Sequence, residues 1–183
     1  AGAAHVTEME ITNNRLSPNP MEPRSAVATY DESEEHYTLY TTSQNPHVAR
    51  LVLSAFYNVA PEHKLRVIAP DVGGGFGSKI YIYPEEITCL WASMRKGRSV
   101  KWTSDRSEAF MTDAHGRDHV STAKMGFDAD GKIVGFKVDT IANFGAYMSL
   151  FSSAVPTYLY ATLLSGQYNI SNIHCNVRAV YTN

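Results

Sequence analysis

Between the alternating stretch Lys64–Ala69 and an apolar pattern beginning near Pro84 stands Pro70-Asp71-Val72-Gly73-Gly74-Gly75-Phe76-Gly77-Ser78-Lys79, with four glycines in five positions. No helix or strand is expected to run through such a segment, because glycine loses more backbone freedom on ordering than any other residue. The chain has to break here, at a junction of strand and helix. Glycine also permits positive φ and lets another group approach the backbone closely. Successive amide N–H groups in a turn of this kind can hold an anion or an oxo group. A strained corner with no ligand is the competing interpretation. The usual nucleotide loops do not match. Counting G-x-G-x-x-G from Gly73 puts Ser78 last; in a P-loop, Ser78 replaces the required Gly and Ile80 the required Ser or Thr.

Around this break the chain alternates between strand and helix patterns. Val6–Asn14 and Ser25–Tyr30 read as strands flanking a turn rich in Asn and Pro, and His36–Thr42 reads as a third strand dense in Tyr and Thr. Ser43 and Asn45 offer caps and Pro46 suits a first helical position, with Val48, Leu51, Val52, Ala55 and Val59 at helical spacing until Pro61. A second helix begins near Pro84, carries Ile87, Leu90, Trp91 and Met94, and stops at Gly97. Ser99–Thr103 is a short strand, while Ser104–Arg117 and Gly145–Gly166 show no clean period. Val120–Phe127 and Lys132–Asn143 flank a hairpin turn at Asp128–Gly131. His174–Tyr181 alternates as a strand with Cys175, Val177, Ala179 and Tyr181 on one face. Long strands with two inserted helices, without strict βαβ alternation, indicate an α+β fold. No linker divides the chain, so 1–183 reads as a single domain. A strand that stops two residues before the last suggests a piece of something longer.

Composition narrows the function. Sixteen Lys and Arg against eighteen Asp and Glu give a net charge of −2, which argues against nucleic acid or an anionic membrane as partner. No apolar run nears the roughly 20 residues that span a bilayer, and no intact secretory signal is present, so a cytoplasmic location is expected. Cys89 and Cys175 are too few for a disulfide framework; one disulfide or two buried free thiols remain, and free thiols are expected. His115 and His119 are four apart but lack the HExxH pattern, so a solvated face is expected for them. Asp128 and Asp130 lack the rest of a calcium loop and belong to the turn. Gln44, between strand and helix, could donate its amide to a ligand, or serve as a cap or surface residue. Local spacing thus supplies a ligand-binding loop, no catalytic residue and no metal ligand.

Five segments carry a resemblance: Asn19-Pro20-Met21-Glu22-Pro23-Arg24, Thr42-Ser43-Gln44-Asn45-Pro46-His47, Asp71–Lys79, Lys101–Glu108 and Val177–Asn183. In order and spacing they resemble the molybdenum-binding large subunit of the xanthine dehydrogenase, aldehyde oxidase and carbon monoxide dehydrogenase family. The likeness covers essentially the whole chain, and bacterial large subunits of the carbon monoxide or aldehyde dehydrogenase kind look nearest. The resemblance implies that Gln44 hydrogen-bonds an oxo group of a molybdopterin cofactor. It implies that Phe76 and Gly77 place backbone amides beside that cofactor, with Gly74 and Gly75 giving the close approach. The Phe76 ring would wall the substrate pocket, or else be a core aromatic.

The implied chemistry is hydroxylation with water as the oxygen source, electrons leaving through iron–sulfur clusters and flavin on other subunits or domains. The partners implied are the remainder of the large subunit, iron–sulfur and FAD-binding subunits, and a small-molecule substrate. This chain lacks the family's downstream glutamate, and also the arginine-bearing loop that follows the Val177–Asn183 segment. Ile80 stands where purine-oxidising members carry Glu, and Thr157-Tyr158-Leu159-Tyr160 where their purine-holding Arg falls. Xanthine is therefore disfavoured as substrate, while an aldehyde, CO or a related carbonyl or heterocycle stays open. The expectation is an incomplete molybdopterin-binding domain that contributes one wall of a cofactor site and is neither catalytic nor cofactor-loaded alone. Two alternatives are a non-catalytic binding or assembly module, and generic anion binding at the glycine loop.

Overall fold

The computed structural model describes residues 2–182. Among them eight strands are found: β1 (His5–Asn13), β2 (Ser25–Asp31), β3 (His36–Thr41), β4 (Leu65–Ile68), β5 (Val100–Thr103), β6 (His119–Phe127), β7 (Ile133–Asn143) and β8 (Ile173–Val180). The principal helices are α1 (Pro46–Ala55), α2 (Pro84–Lys96) and α3 (Arg106–Thr112), and the α+β class follows. Two units emerge, one formed by Ser17–Gly116 and the other by the stretches before and after it.

In the Ser17–Gly116 unit the sheet order is β4-β3-β2-β5, with β3 and β4 parallel and the other pairs antiparallel. Strand alternation puts Ala26, Ala28, Tyr37, Leu39 and Leu65 on one face, where they meet Leu53 of α1 and Cys89 and Leu90 of α2. The small side chains Ala26 and Ala28 let α2 lie close over β2. Leu39, Leu53 and Leu90 are fully buried, each stabilising the fold by roughly 1.5–3 kcal/mol relative to exposure.

Both expected helices form, with different faces inward. In α1 the buried residues are Ala49, Val52 and Leu53, while Leu51 is exposed. His47, Arg50 and Ser54 gather on one side of this helix, and Leu51 stands at the margin of its broad apolar side, next to them. It ends at Ala55, and Val59 joins the core from the turn that follows. Asn45 is its N-cap residue but makes no side-chain cap; the Ser43 hydroxyl instead accepts the Asn45 N–H at 3.0 Å. In α2, Leu90 is buried as expected, but Trp91 is exposed and lies against Arg95. Gly97 ends it in the left-handed conformation.

The polar stretch Ser104–Arg117 contains a helix that the periodicity did not show. Asp105 caps α3, its carboxylate accepting the Glu108 N–H at 2.7 Å. The pattern Asp105-x-x-Glu108 is a helix-start signature, and it was the available signal. Asp105→Ala should cost about 1 kcal/mol, read as a lower urea midpoint with an unchanged denaturant slope.

In the other unit the sheet order is β1-β6-β7-β8, antiparallel except for parallel β7 and β8. The β6–β7 turn is built by Asp128, whose carboxylate accepts the N–H groups of Asp130 at 3.0 Å and Lys132 at 2.8 Å. Val138, Thr140 and Ala142 of β7 are buried, and they pair in register with Cys175, Val177 and Ala179 of β8. The expected β8 face is thus the one aligned with the core residues of β7. Both cysteines are free, but only Cys89 is buried; Cys175 is half-buried because β8 is an edge strand. His119 is half-buried against the Tyr160 ring, and burial lowers its pKa, so the solvated face expected for it is corrected; His115 is exposed. The aperiodic stretch Gly145–Gly166 holds a short helical segment at Val155–Thr162 and exposes Tyr147, Tyr158 and Leu163. No helix among the described residues is long and apolar enough to cross a membrane.

Candidate functional site

Where β3 ends, Thr42 and Ser43 are buried and hold the chain that presents Gln44. The Thr42 hydroxyl accepts the Ser25 N–H at 3.0 Å, and the Gln44 N–H donates to the Lys79 carbonyl at 2.9 Å. Gln44 is exposed. Its Oε1 accepts the N–H groups of Gly77 at 2.9 Å and Lys79 at 3.2 Å. Two backbone donors on one atom require that atom to be the oxygen. The amide Nε2 is therefore the free end, without a hydrogen-bond partner among the described residues. Gln44 combines both sequence readings: it ties down the loop with its oxygen and keeps two N–H donors for another group.

The loop is shaped by close approach as well as by φ. Gly75 is buried, and a Cβ there would overlap the Oε1 and Cδ of Gln44 and lie 2.6 Å from its Cγ. Gly74, Phe76 and Gly77 have φ of 95°, 51° and 94°, three positive-φ positions in four residues that a chain without glycine would not sustain. The Ser78 N–H and hydroxyl both donate to the Gly75 carbonyl, at 3.0 and 2.9 Å. That leaves the N–H groups of Gly74, Gly75 and Phe76 without an acceptor among the described residues. Phe76 is 76% exposed, so its ring is not a core aromatic of this chain.

The loop's other side is held by residues to which sequence reasoning gave no role. Lys79 is fully buried, and its Nζ donates to the Glu22 carbonyl at 2.7 Å and to Glu22 Oε2 at 3.0 Å. The same Oε2 accepts the Gly73 N–H at 2.8 Å. Partial burial pushes the Glu22 carboxyl up, but Gly73 and Lys79 outweigh it and hold the group below its ordinary range. The segment carrying Glu22 is fixed by Arg106, which donates to Asn19 Oδ1, the Pro20 carbonyl and the Met21 carbonyl at 2.6, 2.6 and 3.0 Å. Four of the five segments that carry the resemblance therefore meet around this loop. The partnership of Glu22 with Lys79 spans 57 residues, and the only signal was one opposite charge in each of two motifs.

Behind the loop lies a buried charged network. Arg24 donates to Asp113 at 2.6 Å and to Glu85 and Thr112 at 3.1 Å each, with its guanidinium 3.6 Å from the Tyr83 ring centroid. Tyr83 donates its hydroxyl to the Ser78 carbonyl at 2.6 Å and accepts the Ala114 N–H at 3.0 Å. Burial pushes the Tyr83 phenol well above its ordinary value. Glu86 receives the Thr41 hydroxyl at 2.8 Å and the Tyr83 N–H at 2.7 Å, and burial nevertheless pushes its carboxyl up. Among the described residues no group of three or more His, Cys, Asp or Glu is placed to hold a metal. What the loop offers is neutral N–H donors on a rigid support, suited to oxygen-bearing groups.

The family model for the molybdopterin cofactor-binding domain matches residues 1–183. The carbon monoxide dehydrogenase large chain of Hydrogenophaga pseudoflava is 42% identical over 172 residues, which are 92% of this chain and 21% of that protein. The corresponding large chain of Afipia carboxidovorans is 36% identical over 183 residues, all of this chain and 22% of that one. Quinoline 2-oxidoreductase from Pseudomonas putida 86 superposes with a TM-score of 0.86 at 32% identity, covering 98% of this chain and 23% of its own. This chain thus spans about a fifth of the length of these relatives. The matched sequence and the shared fold agree, and the chain belongs to the molybdopterin cofactor-binding domain family.

Proposed function

We propose that this chain forms one wall of the cofactor site in the large subunit of a molybdenum hydroxylase, with Gln44, Gly74, Gly75, Phe76 and Gly77 as contacts to molybdopterin. The observation that carries the reading is the pinning of Gln44 Oε1 by the loop, which leaves Nε2 as a free donor against the same loop whose Gly74, Gly75 and Phe76 N–H groups are unpaired among the described residues. These donors fit an oxo-bearing cofactor. Lys79, the loop's one cation, is neutralised by Glu22, so what remains is a set of dipoles rather than a net charge.

When bound, the cofactor supplies the redox chemistry that oxidises a substrate with water as the oxygen source. This chain's own residues bind and orient it. Gln44 donates from one side, the glycine loop offers its backbone from another, and Phe76 shields the approach with an exposed ring. The whole protein oxidises an aldehyde, CO or a related carbonyl or heterocycle. The relatives named for carbon monoxide and quinoline support that range, as does Ile80 at the position after Lys79. It works in the cytoplasm with iron–sulfur and FAD-binding subunits that carry the electrons away.

The test is Gln44→Ala in the full-length large subunit, assembled with its partners and assayed for molybdenum and pterin per folded protein. A loss of about tenfold or more in cofactor retention is expected. Retention equal to the unaltered enzyme would remove Gln44 from the site.

A further inference from the structure

The glycine loop is pinned at both ends and free in the middle. At its exit, Gln44 Oε1 takes the N–H groups of Gly77 and Lys79. At its entry, Glu22 Oε2 takes the N–H of Gly73, and the Glu22 N–H donates in return to the Gly73 carbonyl at 3.3 Å. Between the pins lie the unpaired amides of Gly74, Gly75 and Phe76. The two pins are alike in form, each a side-chain oxygen receiving loop N–H groups. They differ in what holds the pin. Gln44 is set by the end of β3, whereas Glu22 is set by Lys79.

We propose that Lys79 and Glu22 are a positioning pair, in which the buried ammonium fixes Glu22 so that its carboxylate sets the entry of the loop and aims the free amides at the cofactor. The proposal rests on the reading of this loop as a cofactor contact. Lys79 does not touch the cofactor in this scheme; it acts through Glu22 and Gly73. Its side chain is fully buried, and a buried ammonium persists only where it is paired and hydrogen-bonded. Nζ donates to two oxygens of Glu22, the main-chain carbonyl and Oε2. One cation therefore fixes the backbone and side chain of Glu22 together. An ion pair with a purely scaffolding role would have no need to share its carboxylate oxygen with the first amide of the loop. There is also no room for slack: a Cβ on Gly73 would lie 2.6 Å from the Glu22 Cβ.

The experiment uses the full-length large subunit in its complex and three variants: Lys79→Met, Glu22→Gln and Gln44→Ala. Two quantities are read, the molybdopterin retained per folded protein after gel filtration and the electron paramagnetic resonance signature of the partly reduced metal. Lys79→Met is expected to weaken retention about 10- to 100-fold and to shift the signature while the circular dichroism stays that of the unaltered protein. Glu22→Gln removes the charge without changing volume and keeps an oxygen for Gly73, so a smaller change in the same direction is expected. If Gln44→Ala loses cofactor while Lys79→Met and Glu22→Gln match the unaltered enzyme in both readouts, the positioning pair is overturned and the loop reading stands. If all three match it, the loop reading falls, and the pair with it. Should Lys79→Met fail to fold, Glu22→Gln decides alone, and an unaltered signature with full retention overturns the proposal.

Discussion

Gly75→Ala in the full-length protein is expected to empty the proposed cofactor site while the sheet and helices of the Ser17–Gly116 unit stay folded. The added methyl would occupy the space of the Gln44 carboxamide, overlapping Oε1 and Cδ. Gln44 cannot yield without loss. Its Oε1 is engaged by two backbone donors and its own N–H by the Lys79 carbonyl. If the side chain swings out, two hydrogen bonds worth about 0.5–1.5 kcal/mol each are lost, and Nε2 leaves its position with them. If the loop moves instead, the free amides are re-aimed. Either way the retained cofactor should fall by about 100-fold, the upper end of what residues supporting a metal site contribute. Gly77→Ala is the informative contrast. Its Cβ meets nothing within 4 Å, but its φ is 94°, so backbone strain of about 1–2 kcal/mol is expected without displacement of Gln44. Equal cofactor loss in the two variants would refute the claim that close approach at Gly75 shapes the site.

Arg24→Met is expected to have the largest effect on stability. The side chains of Arg24 and Asp113 are 4% and 1% exposed, and removing one member of such a pair strands the other in the interior. The cost is about 3–5 kcal/mol, a large share of the roughly 5–15 kcal/mol that holds a typical domain together. Glu85 and Thr112 lose a donor in the same substitution, and the Tyr83 ring loses the cation stacked on it. Arg24→Lys should recover only part of this. An ammonium cannot reach three acceptors in fork geometry while lying flat on an aromatic face. Arg24→Met combined with Asp113→Leu should be far less damaging than Arg24→Met alone, because no carboxylate is then left stranded. Chemical denaturation of the unaltered protein and these three variants measures the differences. A single variant no less stable than the double one would contradict the buried-pair account.

The strands were legible in the sequence to within one or two residues because alternation and turn chemistry are local. Asp128 and Gly131 mark the β6–β7 turn by their side-chain and backbone preferences alone. Helices α1 and α2 were legible as elements and less so as faces, while α3, in a polar stretch, was not legible from periodicity. Leu51 and Trp91 read as core residues and are exposed, since each lies at the flank of its helix's apolar stripe and tertiary packing sets how far the stripe is turned inward. The glycine loop and Gln44 stood out by residue type and position. What did not stand out was Glu22 beneath the loop, or Arg24 and Arg106 behind it. Their partners lie 51 to 89 residues away along the chain, and no periodicity carries information over such separations.

The order of the strands in the β1-β6-β7-β8 sheet also sets a schedule for synthesis. β1 is complete by Asn13, yet its partner β6 begins at His119, with the whole Ser17–Gly116 unit between them. At translation speeds of roughly 5–20 residues per second, β1 waits about 5–20 s for a partner. During that wait it is an unpaired edge bearing Val6, Met9 and Ile11, the kind of segment that recruits other chains. The Ser17–Gly116 unit, which has its own sheet and hydrophobic core, can fold meanwhile and bring the ends of its chain to their final separation. Closing β1 on β6 then means joining two ends of a folded insert rather than of a long flexible loop, so the entropy of closure shrinks. Early folding of the insert is thus coupled to protection of nascent β1, and an insert that folds slowly would lengthen the exposure.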